Sequence, residues 1–422
     1  MPAIEESAKP VTSKNLPRNV WAVGFTSLFM DISSEMVVNV LPLFLANVLG
    51  VQTAVIGLID GIAEATASIL KLFSGWLSDK LGARKWLAVL GYALSALTKP
   101  FFYVANTWGV VAGVRWADRV GKGIRTAPRD ALVADSVSKE SRGLAFGVHR
   151  AMDTAGALIG ILIAALIVWL SQKSAIDMTR PTFQTIVLIS LVPAFLAVLS
   201  LAVGAKEVLV KGQRNIPKFS LRNMGKPFSI FLVIISIFTL GNSSDSFLIL
   251  RAQSLGVTVT GILLMLAMFN LTYTLISTPA GSLSDRVGRK RLIIIGWLVY
   301  VVIYFGFALA KFSWQIWVLY AVYGLYYGLT LGTANAMVAD LVPEELRGTA
   351  YGTYNAVIGL LAFPASFIAG ILWQGLGSWT GFGPSAPFLF GGSLALIATL
   401  LMIFWMPAAG TSRAAGKNSS QP

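Results

Sequence analysis

From residue 20 onward, long apolar runs alternate with short polar ones. The runs lie near 20–45, 53–77, 86–105, 109–134, 143–170, 182–204, 228–251, 259–283, 291–310, 314–340, 348–373 and 387–407. A run of about 20 residues crosses a bilayer core of roughly 30 Å as a helix. A backbone in lipid must also satisfy its own hydrogen bonds, which favours helices over open strands. The pattern therefore predicts an all-α polytopic membrane protein with about twelve transmembrane helices.

Composition sharpens that expectation. The chain is 55% hydrophobic and 12% charged, with a mean hydropathy of +0.72, whereas soluble domains carry about 25% charged residues. Cysteine is absent and His149 is the one histidine, so disulfides, thiolate chemistry and multi-imidazole sites are excluded. The first 19 residues are polar, with Glu5, Glu6, Lys9, Lys14 and Arg18, and contain no apolar core of a signal peptide. The net charge of +14 raises the question of nucleic acid, but its distribution answers otherwise. Lys80, Arg84 and Lys85 lie between the second and third runs, Lys206 to Lys226 between the sixth and seventh, and Arg286 to Arg291 between the eighth and ninth. Loops of the other parity hold only Lys173, Arg180 and Lys311. This is the positive-inside pattern. It predicts two cytoplasmic termini, a place in the cytoplasmic (inner) membrane or one derived from it, a lipid bilayer as surroundings and no nucleic-acid partner.

The longest internal polar stretch, 205–227, divides the runs six and six. The expected organisation is a cytoplasmic tail (1–19), a six-helix half (20–204), a cytoplasmic central loop (205–227), a second half (228–407) and a cytoplasmic tail (408–422). The halves repeat one another. GWLSDKLGARK (75–85) matches GSLSDRVGRKR (281–291), and DSVSKESRGLAFG (135–147) matches DLVPEELRGTAYG (340–352). ISSEM (32–36) also resembles NSSDS (242–246). Two pseudo-symmetric halves with a site between them are a transporter plan. On these motifs the chain resembles the major facilitator superfamily over 19–407. The family's loop motif occurs twice, with Ala83 inserted in the first copy. The resemblance implies a cytoplasmic gate that latches while the site faces outward. Its residues would be Asp79, Arg84, Asp135 and Arg142 in one half and Asp285, Arg289, Asp340 and Arg347 in the other. The alternative is that these are ordinary capping and loop charges.

The fourth run departs from an apolar helix. GVRWADRVGKGIRTAPRDALVAD (113–135) carries Arg115, Asp118, Arg119, Lys122, Arg125, Arg129 and Asp130. Steps of three and four put most of them on one stripe. The equivalent positions of the tenth run are Tyr320, Tyr323, Gly324, Thr330 and Ala334, so one half is cationic where the other is aromatic. A basic residue at mid-membrane costs about 2.5–3.5 kcal/mol on the insertion scale, so these side chains need a cavity or carboxylates. Carboxylates are available in the same half. Asp31 and Glu35 are one turn apart, as are Asp60 and Glu64, with Lys71 beyond them; the fifth run adds His149, Arg150 and Asp153. The second half offers Asp245, Asn270, Tyr273, Asn335, Tyr354 and Asn355.

Buried salt bridges are a poor stability device, and intramembrane ionisable groups are read first as functional. Asp31, Glu35, Glu64 and Asp153 are the proton-coupling candidates. Arg115, Asp118, Arg119, Lys122, Arg125, His149, Arg150 and Asp245 are the substrate-binding candidates, with arginine suited to carboxylate or phosphate. His149 has Tyr354 as its repeat partner, which equally fits a hydrogen-bonded interior ring. The reading is a proton-coupled secondary transporter of a small anionic or chelate-like solute, working as a monomer by alternating access. Its partners are the solute or ion and protons; no cofactor and no resident metal are expected. Three alternatives stay open: an iron or iron-chelate transporter, a drug or metabolite efflux antiporter, and a non-transporting sensor or assembly factor. The fifth run has Gly156 and Gly160 but lacks the Gly-Pro-rich motif usual in drug antiporters. An enzyme is not expected, because no P-loop, G-x-S-x-G or H-E-x-x-H motif occurs.

Overall fold

The computed structural model describes residues 16–138, 141–208, 224–343 and 346–407. Most of the predicted N-terminal tail, much of the central loop and the C-terminal tail lie outside these residues. The first half contains α1 (Arg18–Val38), extended by a short turn at Leu41–Leu43 and a π-helical turn at Phe44–Val48, then α2 (Thr53–Leu81) and α3 (Arg84–Thr98, continued by Pro100–Tyr103). It is completed by α4 (Trp108–Asp135), α5 (Arg142–Gln172) and α6 (Arg180–Gly204). The second half contains α7 (Lys226–Gly241, resumed at Ser246–Ser254), α8 (Val259–Val287), α9 (Arg289–Leu309), α10 (Ser313–Asp340), α11 (Arg347–Gln374) and α12 (Ala386–Phe404).

Among the described residues nine helical segments are long and apolar enough to cross a membrane. Three expected crossings fall short of that measure. The first part of α3 has 15 residues before Pro100 interrupts it, α4 carries its charges, and α10 is rich in tyrosine and glycine. Large apolar side chains such as Val302 and Leu309 face outward, and exposed tryptophans (Trp76, Trp86, Trp108, Trp169, Trp314, Trp405) gather near helix ends. That is the distribution of a lipid-facing surface with aromatic belts.

The helix ends that neighbour the chain termini define one face of the molecule. The repeated loop motif makes two tight turns there. Gly82 ends α2 at φ +63° and Gly288 ends α8 at φ +96°, a region that favours glycine. The halves meet along α2 with α11 and α5 with α8, which are exchanged pairs under the sequence repeat. Small residues permit this contact. A Cβ on Gly61 of α2 would come within 2.7 Å of the Phe363 Cα, and one on Gly370 of α11 within 2.5 Å of the Thr53 carbonyl oxygen. Inside the first half, Gly156 and Gly160 lay α5 against the Leu28 and Ile32 carbonyls of α1.

One expected helix is broken. The run 228–251 reads as continuous, yet residues 242–245 leave the helix. Asn, Ser and Asp side chains compete for backbone groups, and here neighbours stabilise the break. Ser366 Oγ accepts from the Ser244 amide at 3.1 Å. The Tyr300 hydroxyl lies 3.3 Å from the Gly241 carbonyl oxygen. Ser244 and Ser246 both donate to Asp60 of the other half, the first at 2.8 Å.

The hydrogen bonds joining the halves concentrate on the face away from the chain ends. Gln253 donates to Asn47 Oδ1 at 2.7 Å and to the Ile176 carbonyl at 2.9 Å. Thr53 Oγ1 donates to the Gly370 carbonyl at 3.0 Å, and the Val259 amide to the Ala175 carbonyl at 3.1 Å. These bonds close that face, and the chain-end face has fewer bonds between the halves among the described residues.

Candidate functional site

Glycines clamp α4 between α2 and α3. A Cβ on Gly121 would come within 2.6 Å of the Gly91 carbonyl oxygen, and one on Gly123 within 3.0 Å of that of Ala67. Ser74 of α2 donates to the Gly123 carbonyl at 2.8 Å, and Ser95 of α3 to that of Asp118 at 3.1 Å. The cationic stripe is thus held against the two helices that carry its partners.

Charges then alternate along the stripe. Arg115 lies 3.7 Å from Asp60 and 4.0 Å from Asp118; Arg119 lies 4.0 Å from Asp118 and 3.2 Å from Glu64. Arg125 donates to Ser95 Oγ and stacks 4.6 Å over the Tyr92 ring. Arg129 pairs with Asp130 at 2.8 Å. The stripe is not fully satisfied. Two guanidinium nitrogens of Arg115, Arg119 Nε and Asp118 Oδ1 are buried without a hydrogen-bond partner.

Two connected cavities lie beside this stripe. The first, about 380 Å³, sits between the halves and is lined by Glu35, Glu64, Arg115, Arg119 and Lys122 on one side and by the broken stretch of α7, with Asp245 and Tyr327, on the other. The second, about 470 Å³, is lined by Asp31, Glu35, Lys71, Lys122, Arg125, Arg150, Asp153 and Tyr273. Glu35 and Lys122 belong to both. A mostly apolar groove of about 430 Å³ along α5 and α8 shares Arg150, Asn270 and Tyr273 with the second cavity.

The predicted residues sort themselves by place. Glu35 accepts from Asn39 at 2.9 Å, and the Asp31 and Asp153 carboxyls are within hydrogen-bonding reach of each other. Arg150 pairs with Asp153 at 3.3 Å and donates to the Tyr273 hydroxyl across the halves at 2.8 Å. Asp245 accepts from the Tyr323 hydroxyl at 2.9 Å. Asp118 lines neither cavity and stands behind Arg115 and Arg119. His149 is buried against Ser27, 2.8 Å from its hydroxyl, and lines neither cavity. The acidic groups and His149 do not converge: among the described residues no three His, Cys, Asp or Glu side chains gather as metal ligands.

Several participants are not among the site candidates of the sequence, although Asp60 and Lys71 stand out there as neighbouring charges. Asp60 is the carboxylate that ties α2 to the broken helix of the other half. Lys99 is buried, bonded to Ser33 and to Ser34 at 3.2 Å. Its only signal is a lone cation in an apolar run before Pro100. Lys71 lines the second cavity. The second half faces the site with an aromatic wall, in which Tyr327 lies 5.1 Å from Tyr323 and 5.2 Å from Phe269 between centroids.

At the chain-end face the motif residues assemble within each half. Buried Arg84 pairs with Asp79 at 2.6 Å and Asp135 at 3.3 Å; Arg289 pairs with Asp340 at 2.7 Å and Asp285 at 3.7 Å. Arg142 and Arg347 each donate at 3.3 Å to a backbone carbonyl, of Ala134 and Ala339. The two clusters repeat one geometry.

This is the architecture of a membrane transporter with a polar chamber between two helical halves. The family model of the Major Facilitator Superfamily matches residues 23–250 and 228–421, and the chain belongs to that family. It is 37% identical over 397 residues to an uncharacterized MFS-type transporter of Methanocaldococcus jannaschii, covering 93% of this chain and 96% of the relative. It is 26% identical to the multi-drug resistance efflux pump PmrA of Streptococcus pneumoniae, covering 79% and 84%. A POT family transporter solved in complex with 5-aminolevulinic acid shares the fold at a TM-score of 0.77 and 13% identity, over 94% of this chain and 97% of that one.

Proposed function

We propose that this protein is a proton-coupled secondary transporter of a small solute bearing an anionic group, working by alternating access. The observation that carries the reading is the inter-half cavity, walled on one side by Arg115, Arg119 and Lys122. Arg115 and Arg119 are engaged by carboxylates, so Lys122 is the cation free to meet the solute there, and Arg125 serves the second cavity. The adjacent Asp31 and Asp153 carboxyls are suited to hold one proton between them, because two like charges in contact disfavour double ionisation. Glu35, shared by the cavities, and Glu64 are the further proton-coupling candidates.

The proposed topology has twelve crossings in two halves, 20–204 and 228–407. Both termini are cytoplasmic in an inner or derived membrane, supported by the basic loops on the chain-end face. The face opposite the hydrogen-bonded one is then cytoplasmic, and the Arg84 and Arg289 clusters are the two halves of its gate. The reading takes the protein as a monomer. A bare metal ion is disfavoured because the acidic side chains do not converge, whereas an anionic chelate remains compatible with the cations. Drug efflux is the second reading, favoured by the similarity to PmrA.

Proteoliposomes containing a pH-sensitive dye test the proposal with organic anions, organic phosphates, ferric chelates and ferrous iron. Substrate-dependent proton movement that Lys122→Met removes is the expected result. Solute movement with no proton movement would end the coupling claim, and movement unaffected by Lys122→Met would end the assignment of the site.

A further inference from the structure

Three charged groups in the inter-half cavity have no ionic partner among the described residues: Glu35 and Lys122 on the first half and Asp245 on the second, with Glu35 accepting from Asn39 at 2.9 Å on its own helix. Lys122, on α4 of the first half, is exposed to the cavity and forms no ion pair among the described residues. Asp245, at the break in α7 of the second half, is likewise exposed to it and accepts from the Tyr323 hydroxyl at 2.9 Å. The two line the same space of about 380 Å³ and do not pair with each other. Every other cation beside this cavity is held by a carboxylate: Arg115 by Asp60 and Asp118, Arg119 by Glu64 and Asp118.

We infer that the substrate is amphoteric, carrying a cationic amine as well as an anionic group, and that it spans the cavity from Asp245 to Lys122. This rests on the reading that the cavity binds the transported solute, and it deepens that reading. The anionic group meets the Lys122 ammonium. The amine meets the Asp245 carboxylate beside Tyr327, whose ring offers a π-face to a cation. Tyr323 orients the carboxylate from behind through its hydroxyl.

The arrangement also explains why transport would need the solute. Closing the cavity empty would desolvate Lys122 and Asp245 on opposite walls with no partner for either, which is strongly unfavourable. A zwitterion pairs both at once and ties the first half to the second. Only the loaded cavity then closes at low cost, which favours the occluded state by differential binding. A dianion would satisfy Lys122 but face Asp245, and a dication the reverse.

The test uses the full-length protein in proteoliposomes and three probe sets of matched length. The zwitterions are glycine, 4-aminobutyrate and 6-aminohexanoate; the dianions are malonate, glutarate and pimelate; the dications, for the two longer spans, are 1,3-diaminopropane and 1,5-diaminopentane. Proton movement is followed with the entrapped dye, and binding by the shift in thermal unfolding of the purified protein. The expected result is binding and proton movement with zwitterions of one span and with neither other set. Asp245→Asn should weaken zwitterion binding by about tenfold or more, as expected for loss of a desolvated charge pair, and should admit the dianion of that span. Asp245→Glu, which keeps the charge, should retain part of the binding and controls for folding.

Proton movement with dianions but not zwitterions would overturn this inference and leave proton-coupled anion transport standing. Zwitterion binding without proton movement would uphold the inference and remove the coupling. Zwitterion binding unchanged by Asp245→Asn would overturn it. Neither binding nor movement with any set counts against both readings.

Discussion

Arg119 shows how a cation is kept inside a membrane. Glu64 approaches it at 3.2 Å and Asp118 at 4.0 Å, so its charge is divided between two acids. Removing it leaves both acids without their shared partner. Arg119→Ala should destabilise the protein by about 2 kcal/mol, the size of a lost hydrogen bond to a charged group. Arg119→Ala with Glu64→Gln should recover part of that loss, read as the midpoint of thermal unfolding in detergent. A double variant no more stable than the single one would remove the pair from the account. Lys122 is expected to behave in the opposite way. It supports no ion pair, so Lys122→Met should leave the unfolding midpoint nearly unchanged while removing transport. The stripe on α4 is legible in the sequence because charges are rare there and fall three or four residues apart. The division of labour within it is not legible, since it depends on which cations α2 and α3 reach. His149 illustrates the same limit: its residue type invites a functional role, while its neighbour Ser27 comes from another helix.

At the scale of elements, glycine decides how the helices approach. Gly370 of α11 faces the Thr53 carbonyl and the Ala54 Cα of α2, where a Cβ would lie 2.5 Å from each. The neighbour is backbone and cannot turn aside. Gly370→Val should loosen the closed face and reduce transport, and a cysteine introduced at Ser244 should then react more readily from that face. Unchanged labelling would show that α2 and α11 tolerate separation there. The loop between α2 and α3 makes a matching test at the other face. Arg84 is the shared partner of Asp79 and Asp135; Arg84→Ala should slow transport roughly tenfold, about 1.4 kcal/mol in barrier terms, with equilibrium binding nearly intact. Turnover at the native rate would reduce these residues to helix capping. The helical segments and the repeated turn are legible because hydrophobic period and glycine placement are local signals. The break in α7 is not. NSSDS resembles ISSEM, yet Ser33, Ser34 and Glu35 remain helical in α1. The difference comes from Asp60, Ser366 and Tyr300, which are distant in sequence and receive the backbone and side chains that the break exposes.

For the whole molecule, one face is joined by hydrogen bonds between the halves, and the proposed cycle has the other one open. Two halves of one repeat, meeting through exchanged helix pairs, can rock about their shared contact so that the open and closed faces trade places. The cavity with Glu35, Lys122 and Asp245 stays near the middle of that motion. If this is the working cycle, the hydrogen bond between Asn47 and Gln253 has to break in every turnover. The chain contains no cysteine, so introduced thiols report on their own positions alone. The most direct measurement is therefore made on Asn47→Cys with Gln253→Cys, carrying a third cysteine at Ser244 as a reporter, in sealed vesicles of known orientation. Before oxidation and with substrate present, Ser244→Cys should react with impermeant reagent from either face. After the cross-link forms it should react only from the chain-end face, substrate-driven proton movement should stop, and a reductant should restore both. Transport that continues with the cross-link closed, or a reporter reached from one face throughout, would contradict alternating access through this cavity.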